Sequence, residues 1–340
     1  MSDGRARWTV SVIGGGRVGT ALGATLAGAG HRVVCATGSS PASRRLIDER
    51  LPGTQVSTPL EAARAADLVL IAVPDDSLHT VVEGLKPLPW HGKLVVHTSG
   101  RYGVQDLAPL AEAGAATAAI HPVMTFTGQR DDLDRIAGTP FGLTAPSALT
   151  ATIRALIADF GGTPFSLPED RSLYHAAVVH AANHLVTLVS ASMDMLRSTG
   201  VDDPGELLGP LTRAALDNTL RRGANALTGP IARGDSRVVA GHLDAVARHS
   251  AEDHHAYLAM ARHTVHRAAA TGGLTDSAAA TIQNILNDSA ASHGQQAAMA
   301  QTPVRHGRDP VVLDLVPRPS RSPDDALSAA SENRSSTAGR

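Results

Sequence analysis

Glycines near the start of the chain have a spacing that serves phosphate binding. Residues 12–19 read Val-Ile-Gly-Gly-Gly-Arg-Val-Gly, a G-x-G-x-x-G pattern directly after an apolar run and at the head of a helical pattern. The first glycine permits a tight turn, the second lets the backbone approach a pyrophosphate, and the third allows close helix–strand packing. Free N–H groups at the helix N-terminus then favour the phosphates. The pattern predicts a dinucleotide site formed by Gly14, Gly15, Gly16, Arg17, Val18 and Gly19.

The end of the second predicted strand favours a phosphorylated dinucleotide. Residues 35–45 read Cys-Ala-Thr-Gly-Ser-Ser-Pro-Ala-Ser-Arg-Arg, and no carboxylate occurs before Asp48. NAD enzymes usually place Asp or Glu there, on the ribose hydroxyls. Hydroxyl and guanidinium groups instead suit a 2′-phosphate. We therefore expect NADP (NADPH), with Ser39, Ser40 and Arg44 at the 2′-phosphate; the alternative is that the arginines lie on a solvated helix face.

Two loops are expected at the nicotinamide end, because ligands bind beyond the carboxyl ends of parallel strands. Val73-Pro74 follows the fourth predicted strand, and His97-Thr98-Ser99-Gly100 follows the fifth. The Ser99 hydroxyl can donate a hydrogen bond to a substrate, and Gly100 leaves space beside it. An ordinary loop is the alternative.

Histidines and one asparagine are the candidates for proton transfer and substrate orientation. His121 follows the sixth predicted strand, and His175, His180 and Asn183 share the next long helix. Histidine is the natural proton donor near neutral pH, and the Asn183 amide can orient a substrate or the nicotinamide. The alternatives are a structural hydrogen bond for His121 and a helix-to-helix bond for Asn183.

A break in the second half predicts a site for a substrate carboxylate. Thr228, Gly229 and Pro230 interrupt a helical pattern, and a helix resumes near Asp235, a good N-cap residue. Free N–H groups there, with Arg233 close by and Asn218 upstream, can hold a carboxylate; an interhelix turn is the alternative. The histidines between 249 and 266 lack a carboxylate-backed ligand set, so no metal site is predicted.

The elements that must position these residues change character along the chain. Short apolar runs alternate with helical stretches in the first half, which predicts an α/β chain that begins with a doubly wound Rossmann domain over 8–167. An all-helical substrate and dimerisation domain is expected over 168–288, with helices at about 169–199, 204–226, 235–270 and 274–287. Residues 289–340, with the apolar island Val311–Val316, read as a mostly disordered tail.

Composition excludes several classes of partner. A net charge of −2 argues against a basic surface for binding nucleic acid. The 2 Trp, 3 Tyr and 4 Phe offer few aromatic rings on which bases could stack. A single cysteine excludes a disulfide framework and a cysteine-rich metal site. The polar N-terminus and the lack of a run approaching about 20 apolar residues predict a cytoplasmic protein without a membrane partner. Apolar faces on the long helices predict a homodimer through the helical domain.

Read together, these motifs resemble Rossmann-like oxidoreductases that carry a C-terminal helical domain of unknown function. The resemblance covers residues 8–287. The group is a distant relative of β-hydroxyacid dehydrogenases, pyrroline-5-carboxylate reductases and prephenate dehydrogenase, and some members act as alternative ketopantoate reductases in pantothenate synthesis. The residues on which the resemblance rests are the glycine loop, Val73-Pro74, His97–Gly100, Ala119–Phe126 with the pattern His-Pro-x-x-Thr-Phe, Tyr174–Ala177, Asn183, and Ala226–Asp235 with the pattern Leu-Thr-Gly-Pro.

The resemblance implies an NADP-dependent reductase, and we expect a small 2-keto acid such as ketopantoate as its substrate. The first alternative is an imine reductase or a prephenate-type dehydrogenase, which a pocket without a carboxylate-binding arginine would favour. The second alternative is a non-catalytic protein that binds NADP as a sensor. One departure bears on the chemistry. The β-hydroxyacid dehydrogenases and the usual ketopantoate reductases use a lysine on the first helix of the second domain, whereas no lysine follows Lys93 here.

Overall fold

A computed structural model describes residues 7–300, with side chains to residue 293. The chain divides into two compact units after Pro204. The division therefore follows the first long helix, whereas the sequence analysis places the domain boundary at 167. The island Val311–Val316 and the rest of the predicted tail beyond Ala300 lie outside the described residues.

The first unit is built on one eight-stranded sheet in the order β3-β2-β1-β4-β5-β6-β7-β8. The strands are β1 (Thr9–Ile13), β2 (Arg32–Ala36), β3 (Gln55–Val56), β4 (Leu68–Ile71), β5 (Leu94–His97), β6 (Ala116–Pro122), β7 (Pro140–Thr144) and β8 (Thr163–Ser166). The helices are α1 (Arg17–Gly28), α2 (Pro41–Arg50), α3 (Pro59–Ala65), α4 (Asp75–Leu85), α5 (Ala108–Glu112), α6 (Asp131–Ile136), α7 (Thr150–Asp159) and α8 (Ser172–Ser198).

Both faces of the sheet are buried, which explains why its strands read as unbroken apolar runs. In β4, Leu68 and Leu70 belong to one core and Val69 and Ile71 to the other. This period of two follows from the alternation of side chains along a strand. The strand order changes direction at β1: β2 and β3 lie on one side of it, and β4 and the later strands lie on the other. The carboxyl ends of β1 and β4 therefore form the crevice where such sheets bind ligands.

The sheet is not parallel throughout. β7 pairs antiparallel with β6, with His121 opposite Gly142, and β8 then pairs parallel with β7. The connection after β6 contains only the six-residue α6. A helix of that length spans about 9 Å, which is too short to return the chain along a seven-residue strand of about 23 Å.

The second unit is helical. Its helices are α9 (Pro204–Arg222), α10 (Pro230–Arg233), α11 (Ser236–His249), α12 (Ala251–Ala270) and α13 (Asp276–Ala300). The single helix predicted over 235–270 is wrong. Ser250 is extended, with φ −158°, and its hydroxyl accepts the Asp253 N–H, so it ends α11 and caps α12. The predicted start of the tail at 289 is also wrong for its first residues, because the alanine-rich α13 continues to Ala300.

Helix α8 has no buried residue in this chain. It is the one helix among the described residues that is long and apolar enough to cross a membrane, by length and composition only. Such a single helix is weak evidence of a membrane span.

Candidate active site

The glycine loop between β1 and α1 forms the floor of a phosphate cradle. Gly14 has φ +106°, a conformation that favours glycine, and a Cβ there would collide with the Ala72 carbonyl. A Cβ on Gly19 would collide with the Gly14 carbonyl, so α1 packs tightly on the loop. Thr37 holds the loop, because its carbonyl accepts the Gly15 N–H at 2.7 Å and its hydroxyl accepts the Gly14 N–H at 2.9 Å.

The start of α1 fits a pyrophosphate. An added Cβ on Gly16 would meet nothing within 4 Å, which leaves room for a ligand to approach the backbone. No side chain caps this helix, and its first turn holds no acidic residue, so its N–H groups and positive dipole end are available to an anion.

A cavity of about 450 Å³ extends from the glycine loop to Ser39, Ser40 and Ser43 at the start of α2. The buried hydroxyl of Ser57, which lines it, has no hydrogen-bond partner among the described residues. The Ser40 hydroxyl caps α2 by accepting the Ser43 N–H, so it is partly engaged within the protein. The exposed Arg44 donates from Nε to the carbonyl of Gly38, one of the residues that line this cavity.

A second cavity, of about 490 Å³, shares Gly16, Ala72, Val73 and Pro74 with the first. It is shared by the first turn of α1 and the loops that follow β4, β5 and β6. The sequence analysis predicts most of its wall: Gly16, Arg17, Val18, Val73, Pro74, Ser99, Gly100, His121 and His175. Asp75, Thr98, Met124 and Phe126 are among the residues that it does not single out as site residues.

His97 organises the loop after β5 from beneath. Its ring is fully buried, Nδ1 accepts the Ser99 N–H at 3.2 Å, and Nε2 donates to the Gly103 carbonyl at 2.8 Å. Burial lowers its pKa to about 4, so the ring is neutral at pH 7. The Ser99 hydroxyl accepts the N–H groups of Arg101 and Tyr102 and keeps its own proton for donation. The loop thus presents Ser99 and Gly100 on a rigid support.

His121 is held at the carboxyl end of β6 by a phenol. Its Nδ1 lies 2.7 Å from the Tyr174 hydroxyl, with the two rings edge to face. The His175 ring is 6.3 Å away. Burial, followed by the positive charge of Arg171 and the neighbouring His175, lowers the pKa of His121 to about 4. His121 and His175 thus meet at one cavity.

Two residues at the start of α8 were not predicted as site residues. Tyr174 appears in the sequence analysis only as part of the resemblance, and Arg171 does not appear at all. Arg171 is 1% exposed, and its guanidinium donates to the carbonyls of Ser99 and Ala119 and to the Thr144 hydroxyl. The signal available in the sequence was a cluster of arginine, tyrosine and histidine within five residues at a helix start.

The predicted role of Asn183 assumes a buried amide, but its side chain is exposed in this chain. It lies eight residues after His175, which is about 12 Å along α8. His180 is also exposed, and its Nδ1 lies 2.7 Å from that of His184.

The predicted carboxylate site belongs to the second unit. Gly229 has φ +93° and precedes Pro230, the first residue of α10. Arg233 pairs with Asp235 at 3.0 Å, and Asp235 therefore does not cap α11 with its side chain as the sequence suggests. The Asn218 amide oxygen accepts from Arg221. Among the described residues, no group of three or more His, Cys, Asp or Glu side chains is placed to hold a metal ion.

Comparison with protein families accounts for both halves of the chain. A Rossmann-like domain model matches residues 2–122, and the domain of unknown function DUF2520 matches residues 139–264. The chain thus matches a Rossmann-like domain followed by a DUF2520 domain over these two ranges. The predicted resemblance is confirmed, and so is the predicted fold class of an α/β domain followed by a helical one.

The relatives are dehydrogenases and reductases that use nicotinamide cofactors. A glycerol-3-phosphate dehydrogenase [NAD(P)+] of Methylobacterium radiotolerans is 29% identical over 62% of this chain and 64% of its own length. That of Thermus thermophilus is 28% identical over 55% of this chain and 61% of its own length. The chain thus spans less than two thirds of the length of these relatives.

Solved structures share the fold. A Bacteroides fragilis protein provisionally named an NADP oxidoreductase aligns with a TM-score of 0.63 at 21% identity, over 76% of this chain and 98% of that one. A reductive aminase of Aspergillus terreus, solved with NADPH and ethyl levulinate, aligns with a TM-score of 0.59 at 19% identity, over 82% of this chain and 99% of that one. At such identities the likeness establishes the fold alone.

Proposed function

We propose that this protein is an NADPH-dependent reductase of a small carbonyl or imine compound. The observation that carries the proposal is the position of His121: a neutral histidine, oriented by a hydroxyl group, lines the same cavity as the phosphate-binding loop. The curated relatives, which are dehydrogenases that use NAD(P), support it.

The dinucleotide supplies hydride when bound, and the glycine loop with the start of α1 would hold its pyrophosphate. The protein's own residues supply orientation and a proton. Ser99 donates a hydrogen bond to the substrate, Gly100 leaves space for it, and His121 protonates the atom that gains charge as the double bond is reduced. Met124 and Phe126 line the cavity with apolar surface.

The choice of NADP over NAD is part of the proposal. Ser39 and Arg44 are exposed at the start of α2, where no carboxylate precedes Asp48 to bind the ribose hydroxyls. Titration calorimetry with NADPH and NADH tests this. Arg44→Ala should weaken NADPH about tenfold, or 1.4 kcal/mol, and leave NADH unchanged. Arg32→Ala, at the other end of β2, is the control, and tighter NADH binding by the wild type would contradict the proposal.

The first substrate candidate is a 2-keto acid such as ketopantoate, as the resemblance implies. The second candidate is an imine, and two observations favour it. Arg17 is the single arginine among the lining residues of the 490 Å³ cavity, and it belongs to the phosphate loop, whereas the Asp75 carboxylate in the wall would attract a cationic iminium group.

An NADPH-consumption screen over small 2-keto acids and cyclic imines decides between them. Asp75→Asn should reduce turnover of imines and spare that of keto acids. Tight NADPH binding without turnover of any compound would favour a non-catalytic NADP sensor. The cytoplasmic location and the absence of nucleic-acid and membrane partners remain predictions.

A further inference from the structure

The bond between His121 and Tyr174 leaves one ring nitrogen of His121 for the substrate. Nδ1 is occupied by the Tyr174 hydroxyl at 2.7 Å. Nε2 lies on the side of Gly100, where an added Cβ would come within 2.8 Å of it, and both residues line the cavity. If the phenol donates to Nδ1, the proton of the neutral ring must be on Nε2, toward the cavity.

A neutral imidazole cannot act as the acid by itself. Loss of the Nε2 proton alone would leave an imidazolate, which is far too basic to form at neutral pH. The ring can give that proton away only if another proton reaches Nδ1 in the same step. The Tyr174 O–H is the group in position to supply it.

We propose that Tyr174 is the ultimate proton donor of the site and that His121 relays its proton. The bound dinucleotide would supply hydride to the substrate carbon, and the π electron pair of the C=O or C=N bond would take the proton from His121 Nε2. The Tyr174 O–H bond breaks, and its proton bonds to Nδ1. The histidine ends neutral, with its proton on Nδ1, and the substrate is reduced by two electrons. A solvent proton then binds Nε2 while the Nδ1 proton returns to the tyrosinate, which restores the starting state. This inference rests on the proposed reductase function.

The surroundings of Tyr174 suit a short-lived tyrosinate. Arg171 is a buried cation that precedes Tyr174 by three residues, and its hydrogen-bond acceptors among the described residues are neutral oxygens. Tyr174 also lies in the first turn of the 27-residue α8, where the helix dipole favours negative charge. Burial raises the pKa of Tyr174 and Arg171 opposes that effect, so the phenol is protonated at rest. The other titratable groups that act on His121 are His175 and Asp75.

Kinetics of Tyr174→Phe test the relay. The variant keeps the ring and removes the proton, so kcat should fall about 100-fold or more while NADPH affinity is unchanged. Tyr257→Phe is the matched control, because the Tyr257 hydroxyl lies 3.0 Å from His242 Nδ1 in the other unit; it should keep wild-type kcat. Wild-type kcat should be constant from about pH 6 to 8. A fall in kcat with a midpoint near the ordinary histidine pKa of about 6.5 would assign the proton to an imidazolium and overturn the relay, as would full activity of Tyr174→Phe.

A measurement without cofactor or substrate separates the relay from the proposed function. Nitrogen NMR of histidine-labelled protein at pH 7 should show His121 neutral with its proton on Nε2, and Tyr174→Phe should weaken that preference. A proton on Nδ1 in the wild type would overturn the relay, whatever the enzyme reduces. If the wild type reduces none of the compounds but shows the Nε2 proton, the proposed function fails and the hydrogen-bond arrangement stands.

Discussion

Gly100 leaves no room for a side chain beside His121 and His175. An added Cβ would lie 2.8 Å from His121 Nε2 and 2.9 Å from His175 Cδ2. Gly100→Ala should therefore displace the two histidines and lower kcat about tenfold or more, because misplacement of catalytic groups by about 1 Å costs up to 100-fold. NADPH affinity, measured by calorimetry, should be unchanged because the glycine loop is not touched.

Gly84 offers the matched control for this substitution. It lies within α4, and an added Cβ meets nothing within 4 Å. Gly84→Ala should keep full activity and raise the free energy of unfolding by about 0.5–1 kcal/mol. A Gly100→Ala variant as active as Gly84→Ala would show that the two histidines do not need their present positions.

The sequence could predict individual site residues where a local pattern carried the information. The glycine loop is such a case, since each glycine serves a turn or a close approach within six residues. His121 could be predicted because it ends an apolar strand. Tyr174 and Arg171 could not, because their roles depend on partners up to 72 residues away in the chain, brought close only by the folded sheet.

At the scale of elements, a buried carboxylate joins the cofactor-binding helices to the loop after β6. Asp132 is fully buried and accepts the N–H groups of Thr127 and Gly128 at 3.0 and 2.7 Å. Arg50, the last residue of α2, lies 3.5 Å from Asp132 and also donates to the carbonyls of Gln129 and Arg17. The pair therefore fixes the loop that carries Phe126 against the phosphate loop.

Asp132→Asn should loosen this loop. Burial raises the pKa of Asp132, but the hydrogen bonds from Thr127 and Gly128 outweigh it and keep the pKa lowered, so the charged form is the one the fold binds. The NH₂ group of an asparagine would face the N–H donors of Thr127, Gly128 or Arg50, and the unpaired donors should lower the free energy of unfolding by about 1–3 kcal/mol. Urea unfolding should show that loss, and the KM for NADPH should rise. The exposed Asp131→Asn should change stability by no more than about 0.5 kcal/mol, and equal effects of the two changes would contradict the role of Asp132.

Element positions could be predicted where burial imposes a pattern on the sequence. The short apolar runs predict strands at 9–13, 32–36 and 94–97, which are the bounds of β1, β2 and β5 in the structure. The break at Ser250 was missed because the flanking residues continue a helical composition, and only the cap formed by its hydroxyl ends the helix. The sequence predicts a strand at Phe141–Thr144, which corresponds to β7, but not its antiparallel direction, because direction depends on the length of the connection and not on the strand's own residues.

At the scale of the whole molecule, the exposed apolar residues of α8 favour the predicted homodimer. Its apolar side chains include Leu173, Val186 and Leu188, which are 82%, 67% and 50% exposed. A membrane is the less suitable partner. The helix also carries three histidines, Asn183 and the ion pair of Asp194 with Arg197, and such groups are costly in hydrocarbon. A second copy of the chain can cover the apolar residues and leave those polar groups hydrated or paired.

We therefore propose a homodimer in which α8 is buried, and sedimentation equilibrium tests it. The wild type should have twice the chain mass of 35.1 kDa, and Val186→Glu should shift it toward the monomer because a carboxylate would be buried in the interface. Leu60→Glu, a 40% exposed leucine on α3, is the control and should remain dimeric. If the wild type is monomeric at every concentration, or is recovered with membranes, α8 is not covered by a second copy.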